Sequence, residues 1–437
     1  MAENEAYLAA EEKIERAICS KTQHLDLSVN WTADADPLTV VPESISDLPW
    51  LKSLNLSGNH LVNLPDSISR LTQLKTLNVT RCMLSDLPNW LIEMPNLVSL
   101  ELGSNRFGEL PDELGRMVQL QSLNLSSVFA KLPESLGNLE NLHLLEIDHN
   151  SLTRLPDWIR KLTGLQSLAV NHNIIEDVPD WIGELSGLEF LVLAGNRISQ
   201  LPASIGNLIC LQSLDLFTNR FDHIPEGVFL LKNLEKLSIS HNRIHSISDD
   251  IGELKRLREL YAAENLFERL PRSIGNLVEL RTLILGGKQL SSGWTRQPEM
   301  GGSLSELPLE IVNLPSLYDL NLDGNPLNPE LAAAYDEGME AVKRYLIAKA
   351  DAQVSLNEAK LILVGEGEVG KSCLLGALRG DPWMDDRPTT HDPIHLQKPR
   401  PAGLFALWAR SLLLALRWGK PPYVPSDILY TVSRTPR

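Results

Sequence analysis

LKSLNLSGNHLVNLPDSISRL, residues 51–71, returns along the chain as LVSLELGSNRFGELPDELGRM (97–117), LQSLAVNHNIIEDVPDWIGEL (165–185), LEFLVLAGNRISQLPASIGNL (188–208) and LRELYAAENLFERLPRSIGNL (257–277). Thirteen copies align on one column: Asn30, Asn59, Cys82, Asn105, Val128, Asn150, Asn173, Asn196, Asn219, Asn242, Asn265, Lys288 and Asn325. From Asn150 to Asn265 the step is always 23 residues. A fixed period of this length marks a stacked array, in which each unit buries its apolar face only against its neighbours.

The template LxxLxLxxNxL explains itself physically. Alternate leucines flanking a short strand point inward, and a buried asparagine amide can bond backbone groups of the turn that water no longer reaches. The second half of each unit reads LPxxIGxL, as in Leu201 to Leu208. Its proline stops the strand and suits the first turn of a short helix on the convex side, while Ile and Leu return to the core. The pattern is that of a leucine-rich-repeat solenoid of about 13 coils of 23 residues, spanning residues 22–327, and it resembles the intracellular repeats of Ras-binding and plant signalling proteins. Cys82 is a tolerated substitute in the asparagine column, whereas Val128 and Lys288 lack its bonding groups and mark weaker coils. Trp90, Trp158 and Trp181 share one convex column and read as packing residues.

Two irregularities interrupt the rhythm. Residues 1–21 carry an apolar stripe through Leu8, Ile14, Ala17 and Ile18, which predicts a helix capping the exposed end of the array. The step from Lys288 to Asn325 is 37 residues, one coil plus the insert SSGWTRQPEMGGSL, expected as a surface loop.

Strand alternation also says which side chains face outward. The central position runs Asp26, Asn55, Asn78, Glu101, Asn124, Glu146, Ala169, Val192, Asp215, Ser238, Tyr261, Ile284 and Asn321, and the flanking column adds Leu144, Phe190 and Phe217. Early coils are polar here, but Phe190, Val192, Phe217, Tyr261 and Ile284 cluster on strand that should face solvent, a signature of a docking site for a protein or peptide. His149, His172 and His241 precede the column asparagine, and the first two sit on adjacent coils, yet no third ligand for a metal stands at suitable spacing. Arg106, Arg197, Arg220 and Arg243 follow the asparagine and form a solvated basic rim.

Charge narrows the partner class. The 437 residues hold 40 Lys+Arg against 56 Asp+Glu, a net charge of −16, which argues against nucleic acid as the ligand. Residues 392–437 alone carry +5, with seven prolines and no Glu, so the preceding 391 residues carry −21. Cys19, Cys82, Cys210 and Cys373 stand far apart with no CxxC pair, and the N-terminus, with five Glu before residue 16, has no signal-peptide pattern. A cytoplasmic, reducing location is expected. The apolar run of residues 403–418 is interrupted by Arg410 and falls short of the ~20 residues needed to span a membrane.

Past the array, residues 328–357 read as a helical linker, followed by AKLILVGEGEVGKSCLLGALRG. Gly365 to Ser372 matches GxxxxGK[ST], with an apolar strand before it and an apolar helix after it, as a phosphate loop requires. Backbone amides at Gly365 and Gly370 turn around phosphate oxygens, Lys371 neutralises the outer phosphates, Ser372 supplies a Mg²⁺ ligand, and the helix N-terminus adds its dipole. Repeats, a helical linker, NEAKLILVGEGEVGKS and RPTTH in this order resemble the Roco proteins, in which the repeats precede a Ras-like GTPase domain, Roc, and a dimerising domain, COR. That resemblance implies GTP and Mg²⁺ as cofactors and GTP hydrolysis as the family activity. It implies that Glu368, Val369, Gly370, Lys371, Ser372 and Cys373 hold the nucleotide phosphates. Thr390, or its neighbour Thr389, would sense the third phosphate through Mg²⁺ beside Ser372.

The likeness extends over residues 358–391 as an N-terminal fragment of such a domain. No DxxG and no [NT]KxD follows Ser372, so no catalytic residue is assigned and this chain is not expected to turn over GTP. The change of composition at 392 predicts a tail that is disordered or encoded out of frame. The fold expected is thus α/β, a repeat solenoid followed by the start of a P-loop G domain, and the function is a protein-interaction scaffold in signal transduction. A Roco-type GTP switch is the alternative.

Overall fold

The computed structural model describes residues 5–30, 36–129, 131–286 and 302–356. Two compact units divide the chain, 1–347 and 348–437, and the described residues of the second are the last turns of a helix. The first unit carries one parallel sheet of thirteen three-residue strands, β1 to β13, stacked in chain order. They begin with β1 (His24–Asp26), β2 (Ser53–Asn55) and β3 (Thr76–Asn78) and continue through β4 (Ser99–Glu101), β5 (Ser122–Asn124), β6 (Leu144–Glu146) and β7 (Ser167–Ala169). The series ends with β8 (Phe190–Val192), β9 (Ser213–Asp215), β10 (Lys236–Ser238), β11 (Glu259–Tyr261), β12 (Thr282–Ile284) and β13 (Asp319–Asn321). Each central leucine pairs with the next, Leu168 with Leu191 and Leu191 with Leu214, so the residues on either side project together from the other face. The thirteen outward central positions expected from the repeat are the third residues of these thirteen strands.

The return segments differ from the expected short helices. Among the described residues eleven of them are five-residue 3-10 turns, and only Asn89–Ile92 forms a short α-helix, here α2. Proline precedes these segments with φ between −59 and −73°, fixing the turn into the bend, and the segment is too short to propagate an α-helix. Ser248 stands where the others have proline and caps instead, its Oγ accepting from the Asp250 N–H at 3.2 Å. Glycine recurs in these turns because the next coil approaches closely. A Cβ on Gly183 would lie 2.4 Å from the Ser204 carbonyl oxygen, and one on Gly115 2.2 Å from that of Ser135. Trp158 and Trp181 lie buried in this convex layer and Trp90 is half-buried, as their packing role requires.

The asparagine column is a ladder linking each coil to the one before. Asn196 Oδ1 accepts from the Ile175 N–H at 3.1 Å, while its Nδ2 donates to the Val170 and Leu193 carbonyls at 3.0 and 2.9 Å. Asn105, Asn219, Asn242 and Asn265 repeat the same pattern one coil apart. Cys82 keeps part of it, its thiol donating to the Leu56 carbonyl at 3.4 Å, and burial pushes that thiol's pKa up to about 11. Val128 is buried and contributes no polar group, but Asn150 of the next coil accepts from its N–H and from that of Phe129.

Two readings at the ladder's ends change. Asn30 is exposed, because the asparagine bonds backward and no coil precedes it, so the ladder starts at Asn59. At the other end Asn325 accepts from Leu304, which is fully buried, and donates to Leu285 across the insert. Leu304 therefore belongs to the coil rather than to the insert, and residues 287–301, which include most of that insert, lie outside the described ones. The sheet passes this point without a gap, since β12 pairs directly with β13.

Helix α1 (Glu5–Ser20) covers the N-terminal end through Ala10, Ile14 and Ala17, whereas Leu8, placed in its apolar stripe by sequence, is 47% exposed. The stretch read as a linker begins with α3 (Pro329–Glu337), capped by the Asn328 side chain, and after Gly338 at φ 102° continues as α4 (Met339–Leu356). Leu331, Val342 and Leu346 are buried, and the Tyr335 hydroxyl accepts from the Leu322 N–H at 3.1 Å, so these helices close the last coil.

Candidate functional site

The strand face is built from three columns. The first strand residue, the third, and the residue two beyond it all escape the leucine core. Sequence reasoning merged the two outer columns, and the structure separates them: Leu144 and Phe190 open their strands, whereas Phe217 lies two residues past β9 on the other side. Phe190 is 43% exposed, flanked on β7 and β9 by Ser167 and Ser213, which are too short to shield it. Val192, Phe217, Tyr261 and Ile284 are half-buried. Phe217 meets the His241 ring edge-on with centroids 4.8 Å apart, and Lys236 Nζ sits 5.1 Å over the Tyr261 ring.

Charges on this face are arranged unevenly. On the C-terminal coils they are paired: Lys236 with Glu259 at 3.4 Å, His241 with Glu264 at 3.2 Å, and Arg258 with both Glu235 and Glu279 at 2.6 and 3.2 Å. Tyr261 donates to Glu259 at 3.1 Å, and burial together with that carboxylate raises its pKa to about 12. On β4 and β6 the acids Glu101 and Glu146, with Asp148 just beyond β6, form no ion pair with a Lys or Arg among the described residues. Asn124 Nδ2 donates to Glu146 at 2.7 Å, and Asp148 accepts from the Asn171 N–H at 2.6 Å. Burial raises all three carboxyls above their ordinary range, and Glu146 is raised further by the charges of Glu101 and Asp148. Asp148 and Asn171 were absent from the outward column read by sequence because they occupy the third, outer one.

The histidines have a backbone explanation. His149, His172 and His241 adopt φ of 55, 52 and 55°, as do Arg81, Ser104, Thr218 and Glu264 in the same column, where the neighbouring repeats use Gly58 and Gly195. The turn into the ladder demands the left-handed region, which histidine tolerates better than branched residues. The His149 and His172 rings stack with centroids 4.4 Å apart, and burial lowers the His172 pKa. No three metal-ligating side chains gather among the described residues. Arg197, Arg220 and Arg243 are exposed along the rim.

Gly365, Glu368, Val369, Gly370, Lys371, Ser372, Cys373 and Thr390, read as the GTP and Mg²⁺ site, lie outside the described residues, as does the tail 392–437. No described helix is long and apolar enough to cross a membrane.

Comparison with known proteins agrees with the geometry. Models described as a leucine-rich repeat region match residues 109–195 and 179–292, and a leucine-rich repeat model matches 50–71. Comparison with curated proteins returns no match. Among solved structures, a leucine-rich-repeat protein of Leptospira interrogans is similar at 26% identity and TM-score 0.54, over 74% of this chain and 96% of that one. The plant peptide hormone receptor RGFR1, solved in complex with RGF2, is similar at 27% identity and TM-score 0.52, over 72% of this chain and 49% of the receptor. A TDR receptor is similar at 28% identity and TM-score 0.55, over 73% and 57%. Repeat period, sequential parallel strands and buried asparagine ladder together give the described residues from β1 to β13 a leucine-rich-repeat solenoid fold.

Proposed function

We propose that the chain is a protein-interaction scaffold in signal transduction, whose strand face from β8 to β12 takes a protein or peptide partner on Phe190, Val192, Phe217, Tyr261 and Ile284. The observation that carries this is the exposed Phe190 beside half-buried Val192 and Phe217, apolar groups on a face whose structural leucines all point the other way. A structural relative solved with a bound peptide hormone supports it by likeness of fold. The free thiols of Cys19, Cys82 and Cys210 support a reducing, cytoplasmic setting. Pull-down with Phe217→Asp and Tyr261→Asp tests the reading: partners should be lost from both variants, and unchanged recovery by both would refute it.

A second reading rests on one sequence observation, Gly365 to Ser372 followed by Pro388-Thr389-Thr390-His391. In this reading the chain is a Roco-type GTP switch, with Lys371 on the outer phosphates and Ser372 and Thr390 on Mg²⁺. Calorimetric titration with GTP·Mg²⁺ separates the two. The scaffold reading expects weak or no binding, whereas micromolar affinity abolished by Lys371→Ala, together with turnover, would favour the switch.

A further inference from the structure

The strand face leaves its acids unneutralised in one place and pairs them in another. Among the described residues no Lys or Arg forms an ion pair with Glu101, Glu146 or Asp148, while Lys236 and Arg258 satisfy Glu259, Glu235 and Glu279 farther along the same face. The groups facing the acid cluster are Ser99, Ser122, Asn124, Asn171, His149, His172 and, one coil past β8, Asp215. Glu101 and Glu146 take neutral donors, and Asp148 adds to its bonds with Asn171 the attraction of the His149 and His172 rings. The carboxyls have lost water without gaining a Lys or Arg partner among the described residues, and the repulsion of Glu101 and Asp148 adds to that cost at Glu146. The apolar patch begins next to them: Leu144 shares β6 with Glu146, and Phe190 and Val192 lie two coils on.

We infer that the strand face from β4 to β9 recognises an extended segment of a protein partner in which a Lys or Arg stands about three residues from a large apolar side chain. The cation sits among Glu101, Glu146 and Asp148, and the apolar group covers Phe190, Val192 and Phe217. The spacing follows from the sheet. Adjacent strands lie ~4.8 Å apart, so β6 to β8 is about 10 Å, which an extended chain covers in about three residues. Charge complementarity selects a basic segment over an acidic one, and it disfavours a second copy of a chain with net charge −16. This inference rests on the reading of the strand face as a docking surface and adds the partner's chemistry.

Selection from a random-peptide display library against the full chain tests it, followed by fluorescence anisotropy with the most enriched peptide. Expected is enrichment of Lys or Arg about three positions from Phe, Trp, Leu, Tyr or Met, with affinity falling about tenfold or more on Glu146→Lys and on Phe190→Asp. His24→Ala, at the far end of the sheet, should leave affinity unchanged, and thermal melts should show all three variants folded. Peptides without basic enrichment whose binding is still lost on Phe190→Asp would overturn the inference and leave the docking surface standing. Binding indifferent to Phe190→Asp and Phe217→Asp would overturn the docking surface itself. Recovery of no peptide above background would count against the inference.

Discussion

Replacing Asn196 with alanine isolates the ladder's contribution. Its Oδ1 is the partner of the Ile175 N–H at 3.1 Å, and Ile175 is fully buried, so that N–H is left without water. The Val170 and Leu193 carbonyls fare better, since Asn173 also donates to the first at 2.9 Å and Asn219 to the second at 3.0 Å. One orphaned buried donor costs ~1–3 kcal/mol and each lost bond at a half-satisfied carbonyl ~0.5–1.5 kcal/mol, so Asn196→Ala should destabilise by about 3 kcal/mol. Asn196→Asp keeps an acceptor for Ile175 but turns a buried carboxylate toward two carbonyls. Its carboxyl pKa will be raised by the fold, so the stability of that variant should recover in acid and be lost as pH rises through the raised value. Cys82→Asn is the reciprocal change: it supplies a full amide where a thiol now donates weakly at 3.4 Å, and should stabilise by about 1 kcal/mol. Urea unfolding followed by circular dichroism reads all three, with hydrogen exchange at residues 170–196 locating the effect. A loss under about 1 kcal/mol for Asn196→Ala, without faster exchange there, would refute the argument that the asparagine serves an otherwise dry N–H.

Gly183→Ala places a Cβ 2.4 Å from the Ser204 carbonyl and should cost ~1–3 kcal/mol in a thermal melt, while Gly108→Ala, with open space around it, should be nearly neutral. Ser248→Ala removes the side-chain cap of the turn Asp249–Glu253 and should cost about 1 kcal/mol, whereas Ser248→Pro, at φ −63°, should be neutral or slightly stabilising in the same melt. The raised carboxyls of Glu101, Glu146 and Asp148 contribute stability below the unfolded carboxyl pKa of about 4 that is lost as pH rises through their folded values. Glu146→Gln should therefore be more stable than the parent at about pH 7 and should narrow the gap near pH 4, measured as urea midpoints; an equal offset at both would show that the charge is not the cause.

Much of this architecture can be read from the chain because its chemistry repeats. A leucine at each strand centre and an asparagine at each turn leave one register, and the outward positions from Asp26 to Asn321 followed directly. What escaped depends on neighbours rather than on period. Asn30 has the right residue but no preceding coil to bond, and Leu304 joins the coil because it brings the following Leu307-Pro308 turn with it. The return segments took the 3-10 form because proline and close glycine contacts fix a turn of only five residues. Histidines standing just before the column asparagine answer to a backbone angle. The unpaired acids became visible only once the conformations of Lys236 and Arg258 showed which acids elsewhere on the face had found cations.

The strictly sequential pairing of β1 to β13 also makes the molecule a ruler. Every strand touches only its predecessor and its successor, and from Asn173 to Asn265 the ladder closes on equivalent atoms at each step. Copying or losing one 23-residue unit, such as 151–173, would leave both joints chemically intact. The distance between the acidic coils and the aromatic ones would nonetheless change by one whole strand spacing, ~4.8 Å. Separation on this surface is therefore quantised, and a lineage that gains or loses a coil re-spaces the residues its ligands must present in a single genetic event.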